Sequence, residues 1–418
     1  MTHMEGTPED TDRILAEVGY RDFAMREHRS LWGDAWGRLL SSATGRVGMV
    51  IVAFFLIATL LTHFFWEYNP RTDLDYALKL KPPNLTATAE YDSIHPFGTD
   101  NLGRDIFRRV AHGGWNSLRV GLVAVGISLS VGGLLGLAAG FYESMPLGRT
   151  EQMLLFGSIG LTLGALSGWI TGQWFHIILF LGLGLAASYW DELWVGKRQR
   201  IFFFGAAGLV LGALPAVLVS FPIVVASGLM GLVIGIVLAL PLSGPLVSNT
   251  IMRLMDIILA FPGILLAIAI VAMLGPGLDK GMIAIGFVGI PVYARLVRSS
   301  VLSVMQLEYV TAGLAVGVGQ GRILFRHIVP NTLSPIIVQS TMGLASAILW
   351  AGALGFLGLG AIPPEPEWGA MLGDSYRFLT TGAWWAVTFP GVAIMLSVLG
   401  FNLLGDGLRD ALDPRLRV

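Results

Sequence analysis

No cysteine occurs in the 418 residues, which excludes a disulfide framework, a thiolate zinc site and a cysteine nucleophile. Charge is scarce as well. Asp, Glu, Lys and Arg make up 13% of the chain, against roughly 25% in an ordinary soluble domain. The formal net charge of −1 supplies no attraction to nucleic acid, which is not expected as a partner. The only lysines are Lys79, Lys81, Lys197 and Lys280, and the residues after them are Leu80, Pro82, Arg198 and Gly281. A P-loop needs Ser or Thr after its lysine to hold magnesium, so ATP is not bound in that way. The seven histidines are scattered without metal-ligand spacing, and neither a metal site nor a cofactor is expected. The polar N-terminal stretch 1–46 has no apolar core near its start, so no cleaved signal peptide is expected.

What fills the chain instead is apolar. Hydrophobic residues make up 54% of it, and the mean hydropathy is +0.69. A hydrocarbon layer about 30 Å thick is crossed by about 20 apolar helical residues. Runs of that kind lie at Val47–Phe65, Leu118–Gly140, Met153–Ile170, Trp174–Tyr189, Ile201–Val219, Ile223–Leu240, Ile251–Leu274, Met282–Val297, Pro335–Leu357 and Trp384–Leu404. About ten spans are expected. Trp174–Tyr189 and Met282–Val297 are short enough to be re-entrant. Without an alternating strand pattern, the fold class is all-α and polytopic.

Orientation follows the Arg and Lys of short loops. The stretch between Val297 and Pro335 holds Arg298, Arg322 and Arg326 against one acid, Glu308, and is expected to be cytoplasmic. Gly358–Thr381 holds Arg377 against Glu365, Glu367 and Asp374, and is expected outside. Lys197, Arg198 and Arg200 fall inside on the same count, and both termini come out cytoplasmic. Arg104, Arg108 and Arg109 fall outside and run against the rule, softened by the neighbouring Asp100 and Asp105.

Ahead of the first span, Leu31, Trp32, Ala35, Trp36, Leu39 and Leu40 share one helical face, which suits either a helix in the membrane interface or one packed on a partner subunit. Gly157, Gly160, Leu161, Leu163, Gly164, Ala165 and Leu166 recur 48 residues later, from Gly205 to Leu214. Leu147–Val247 therefore reads as two related helical hairpins. The small-residue spacings Gly160/Gly164/Gly168, Gly208/Gly212 and Gly231/Gly235 allow helix backbones to approach closely in lipid. Asp256 is the one clear acid in a span, one helical turn from Arg253 near the cytoplasmic end. A residue capping or paired with Arg253 is favoured over a proton relay.

A chain that crosses the membrane repeatedly yet holds neither motor nor ion relay takes energy from a partner. The stretch Glu308–Asn331 is the ordered cytoplasmic loop suited to that contact. Val310, Leu314 and Ala315 give one helical stripe, Gly317-Val318-Gly319 breaks it, and Ile323, Leu324 and Ile328 start another. Pro330 should then prevent smooth helix continuation into the next span. A helix–turn–helix flat on the cytoplasmic face is expected, with Arg322 and Arg326 pointing out. An ordinary amphipathic connector is the other reading of this pattern.

At these residues the sequence resembles the permease subunits of ABC importers, whose cytoplasmic loop runs EAA, three residues, Gly, nine residues, Ile-x-Leu-Pro. The matching positions are Thr311-Ala312-Gly313, Gly317 and His327-Ile328-Val329-Pro330. The acid is replaced at Thr311 and the second Ala at Gly313. The peptide and nickel branch is closer: compare Glu308-Tyr309-Val310 and Arg326-His327-Ile328-Val329-Pro330-Asn331. His95–Phe107, Met252–Ala267, Leu354–Leu372 and Phe401–Arg417 resemble the C-type subunit of that branch's permease pair.

The resemblance implies a six-helix permease core in the inner membrane of a prokaryote. A second permease, cytoplasmic ABC ATPases and an extracytoplasmic solute-binding protein are implied as partners, with peptides as solute and nickel or another small solute as the alternative. It implies segments 1–46 (cytoplasmic, with the interfacial helix), 47–143 (two core spans), 144–250 (about four inserted spans) and 251–418 (core helices, with the coupling loop at 298–330). Glu308, Tyr309, Ala312, Gly313, Gly317, Arg322, Arg326 and Pro330 are the expected ATPase-coupling residues. Gly98, Asp100, Gly103, Arg104 and Asp105 form an external motif that is either an ion-paired structural turn or a contact for the binding protein. Pro363, Pro364, Pro366 and Trp368 make a rigid external segment, a lid or an interface turn. An ion-coupled secondary transporter is the competing class; a membrane enzyme is not supported, since no nucleophile–base constellation is visible.

Overall fold

A computed structural model of the chain describes residues 31–70, 72–86, 94–145, 175–189, 197–213 and 244–413, with isolated positions at 157, 160, 161, 164 and 232. In chain order the helices are α1 (Leu31–Ser41), α2 (Ala43–Phe65), α3 (Ile106–Ile127), α4 (Gly133–Ser144), α5 (His176–Tyr189), α6 (Lys197–Ala213) and α7 (Gly244–Leu259). Then come α8 (Gly263–Leu274), α9 (Leu278–Met305), α10 (Glu308–Ala315), α11 (Gln320–Ile323), α12 (Val329–Phe356), α13 (Trp368–Ser375) and α14 (Trp385–Leu412). Only two isolated β-bridges, Asn84 with His95 and Thr99 with Asp105, depart from an all-α chain among the described residues.

Five helical stretches are long and apolar enough to cross a membrane: Ala43–Phe65, Ile106–Ser144, Leu278–Met305, Gln320–Phe356 and Trp385–Leu412. The α7–α8 pair makes a sixth if counted as one broken span. At Met282–Val297 the sequence suggested a marginal segment, and α9 is instead a full 28-residue helix. The expected continuous span Ile251–Leu274 is corrected: α7 and α8 meet at an 87° bend. Pro262 explains it, because its ring disfavours a helical Phe261 and it has no N–H to continue the ladder. Its carbonyl instead accepts the Leu266 N–H at 3.0 Å and starts α8. Of the four additional spans, Trp174–Tyr189 and Ile201–Val219 contain apolar helices of 10–17 residues among the described residues. Met153–Ile170 and Ile223–Leu240 lie almost entirely outside the described residues.

The chain forms two compact units. The first comprises Met1–Leu122, Leu274–Met282 and Ile337–Val418. Its core joins Val52, Ile106, Leu118, Ile348, Trp368, Trp385 and Phe401. Helix α2 is apolar all round, and residue size decides which face packs. Gly45, Gly48, Val52 and Thr59 are buried, while Val50, Phe54, Ile57, Leu61 and Phe64 point outward where lipid can take them. A Cβ on Gly48 would collide with the Leu404 backbone, and one on Gly407 would lie 2.5 Å from Gly45 Cα, so α2 and α14 touch along glycine. On the apolar face of helix α1, Leu39 is buried against this contact, while Trp36 and Leu40 are exposed.

The second unit comprises Val123–Met273 and Ile283–Ile336. Between α3 and α4 the helix widens into a π turn at Ser128–Gly132. Ser128 Oγ donates to the carbonyls of Ala124 and Gly286 there, at 2.9 and 2.7 Å, so a side chain takes part of the backbone's bonding. The recurrent glycines find a use on α5: Cβ atoms on Gly160 and Gly164 would strike the backbone near Phe180 and His176, and His176 Nε2 lies 3.2 Å from the Gly212 carbonyl.

Overpacking a tight contact typically costs about 1–3 kcal/mol. Gly48→Val should therefore lower the thermal midpoint of the purified protein, whereas Val50→Ala, on the outward face of the same helix, should leave it nearly unchanged.

Candidate functional site

The expected coupling residues fold as a short helical reversal in the second unit. Helix α10 carries Glu308 in its first turn, where an acid complements the helix dipole. Its other end closes through two bonds: Gly317 N–H to the Leu314 carbonyl and Val318 N–H to the Gly313 carbonyl, both 3.0 Å. This is a Schellman closure, and it requires the left-handed conformation that Gly317 adopts at φ +79°. Helix α11 starts immediately, with the Gly319 carbonyl accepting from Arg322 and Ile323.

The reversal is anchored from beneath. Val310, Ile323 and Ile328 are fully buried with Phe141, Met145, Val297, Val301 and Val304. Above, Tyr309, Ala312, Leu314, Val316, Gly317, Arg322, Phe325 and Arg326 are exposed, while Gly313 is half-buried. The first stripe thus presents only Val310 to the core, and Leu314 and Ala315 face outward. Asn331 Nδ2 donates to Tyr309 Oη at 3.0 Å, tying α10 to α12. Pro330 does not stop the helix, and that expectation is corrected. The chain runs helically from Gln320 to Phe356 because a π turn at Leu324–Ile328 precedes the proline and absorbs its clash with the preceding turn.

The external motif belongs to the first unit and is built on Asp100, which is 1% exposed. Its Oδ2 meets Arg104 Nε at 2.6 Å and Arg109 Nη1 at 2.5 Å. Its Oδ1 accepts the backbone N–H groups of Leu102 and Arg104 at 2.8 and 2.9 Å. Gly98 and Gly103 hold positive φ, +72° and +75°, and a Cβ on Gly103 would run into the Asp75 backbone. Asp105 pairs with His95 Nδ1 at 2.7 Å. Arg109 is the member of this cluster that the sequence motif omitted; it sits in α3, nine residues beyond Asp100, a separation that carries no helical signal for the pair.

Three other ion pairs went unread. Arg119 on α3 meets Asp279 on α9 at 3.2 Å in the first unit, and both are exposed. In the second, Asp256 pairs with Arg295 at 2.6 Å, not with Arg253. Arg298 and Glu143 meet at 2.5 Å, joined by Ser248, which donates to Glu143 at 2.9 Å. Partners so far apart in sequence left no local signature.

Glu367 caps α13, accepting the N–H groups of Gly369 and Ala370 at 2.8 Å each while 1% exposed. Burial raises its pKa from 4.5 to about 7, against the opposing pull of those two donors. The rigid segment before it includes a cis Pro363–Pro364 bond, and Asn116 Nδ2 holds the Pro366 carbonyl at 2.7 Å.

With this geometry in hand, comparison with known families decides the class. Residues 231–418 match the binding-protein-dependent transport system inner membrane component, and residues 30–83 match the N-terminal TM domain of oligopeptide transport permease C. The dipeptide transport system permease protein of Alkalihalophilus pseudofirmus is 37% identical over 393 residues, covering 93% of this chain and 91% of the relative. The chain belongs to this permease family. A glutathione transport system permease protein of Pectobacterium atrosepticum is 31% identical over 93% of each chain. The di/tripeptide transport system permease protein of Pseudomonas aeruginosa is 50% identical over 204 residues, 48% of this chain but 66% of that one, so the relative is the shorter. The permease is accordingly a multi-pass inner-membrane transport protein, not an enzyme.

Breaking a buried charge pair by removing one partner costs about 3–5 kcal/mol. Asp100→Asn strands Arg104 and Arg109, and should sharply reduce the folded permease recovered from membranes, as read by size-exclusion chromatography in detergent. For Glu367 the raised pKa means the folded state holds the proton more tightly than the unfolded one. Its stabilising contribution is complete below about pH 4.5 and is lost as pH rises through about 7. Glu367→Gln should flatten that part of the melting-temperature profile.

Proposed function

We propose that the chain is the C-type permease of a peptide importer, working with a second permease, cytoplasmic ABC ATPases and an extracytoplasmic binding protein. The observation that carries the reading is the α10–α11 reversal within a chain related over nearly its whole length to dipeptide and glutathione permeases, glutathione being itself a tripeptide. In this reading Glu308, Tyr309, Ala312, Gly313, Gly317, Arg322, Arg326 and Pro330 make the surface that an ATPase grips. An element rigidly based on α4 and α9, yet exposed above, passes a push from outside into the spans instead of flexing. Exposed Leu314, Val316 and Phe325 beside Arg322 and Arg326 suit a partner cleft that is apolar with an acidic rim.

Both termini are cytoplasmic in this arrangement. The basic Arg104, Arg108 and Arg109 do not count against it, because Asp100 meets Arg104 and Arg109, Asp374 also meets Arg109, Asp73 meets Arg108, and the positive-inside rule concerns charges free in loops. The Asp100 cluster acts as a structural knot that shapes the outer face for the binding protein. Residues 144–250 are an addition to the six-helix core, consistent with the shorter length of the Pseudomonas relative.

Nothing fills the space around Gly317, so a side chain there meets no obstacle in this chain, but the left-handed φ is strained for any L residue by about 1–2 kcal/mol. Gly317→Trp should insert and bind its partner permease normally while peptide uptake in whole cells falls to background and ATP hydrolysis no longer tracks transport. Unchanged uptake would refute the coupling role.

A further inference from the structure

Two arginines three residues apart on α9 are treated differently. Arg298 turns into the second unit, where Glu143 and Ser248 satisfy it. Arg295 turns outward to meet Asp256 of α7 at 2.6 Å, and this pair stays 52% and 50% exposed. Val292 and Ser299, on the same face of α9, are exposed too. A charge facing hydrocarbon near mid-membrane costs about 2.5–3.5 kcal/mol even on lenient scales, so an uncovered ion pair on a spanning helix is better placed against water or protein than against lipid.

The α7–α8 break points the same way. It begins one turn after Asp256, and exposed Leu259, Ala260 and Phe261 lie at the bend. Non-helical backbone at membrane depth is tolerated where it is covered by protein or lines a water-filled cavity, and discontinuous helices of this kind form solute sites in transporters.

We infer that Asp256 and Arg295 line the translocation pathway and take the free ammonium and carboxylate ends of a peptide as it passes. The inference rests on the peptide reading above. A solute bearing both charges exchanges one ion pair for two, Asp256 with its ammonium and Arg295 with its carboxylate. A solute with a single charge leaves one of the two residues without a partner in a medium of low dielectric, and a bare metal cation meets the Arg295 guanidinium. The pair therefore selects short zwitterions, and its closure after passage leaves no free charge in the pathway.

The test uses the complete transporter in proteoliposomes with a radiolabelled alanine dipeptide. Because the permease has no cysteine, Val292→Cys supplies its only thiol. A charged, membrane-impermeant methanethiosulfonate reagent should label it, and transported dipeptide should slow the labelling. Asp256→Asn and Arg295→Gln should each reduce uptake on the order of tenfold or more, as expected when one member of a binding charge pair is lost. The exchanged variant, Asp256→Arg with Arg295→Asp, keeps an ion pair between α7 and α9, so it should restore co-purification with the ATPases but not uptake. A Val292→Cys thiol that stays unreactive, or full uptake by the exchanged variant, overturns the inference and leaves the pair a structural tie. If the unmodified transporter moves no dipeptide, the peptide reading itself falls and this inference with it.

Discussion

Inside a bilayer no water is available to a peptide N–H or C=O, and that single constraint governs where this chain is allowed to stop being an α-helix. Each departure among the described spans comes with an identifiable cause. At Ser128–Gly132 the Ser128 hydroxyl bonds both its own helix and the Gly286 carbonyl. At Leu324–Ile328 the ladder widens just ahead of Pro330. At Ala260–Pro262 it breaks outright, and the Pro262 carbonyl becomes the first acceptor of α8. The reversal at Gly317 leaves the helical ladder altogether, and it closes its own carbonyls with two bonds.

Around this scaffold the charges sort by what covers them. Asp100 and its two arginines are sealed, and four donated bonds compensate the aspartate's burial. Glu143, Ser248 and Arg298 form a partly covered tie. Arg119 with Asp279 and Asp256 with Arg295 remain open to their surroundings. The sealed groups hold the fold in shape, and the open ones remain accessible. That division follows from solvation: an ion pair that must open and close cannot be one whose separation leaves two buried charges unsolvated.

The α10–α11 reversal fits the same logic. Its lower side is apolar and fully packed, so it cannot shift without α4 and α9. Its upper side exposes Leu314, Val316 and Phe325 next to Arg322 and Arg326.

Much of this was legible from residues in order. Long apolar runs dictated membrane helices because hydrocarbon admits little else, and the Gly317 reversal was visible because local chemistry writes it: an apolar stripe, a glycine that accepts positive φ, a second stripe. The lack of Lys-Ser or Lys-Thr excluded a P-loop from the residues alone. What the tertiary structure alone decided was every effect carried between distant segments. It turned Ile251–Leu274 from one span into two helices at 87°, let Pro330 sit within a continuing helix, gave Asp256 to Arg295 in place of Arg253, and drew Arg109 under Asp100. Sequence fixes local conformational cost and the chance of burial. Which charges meet, and which are left facing outward, depends on helices that approach each other only after the chain has packed.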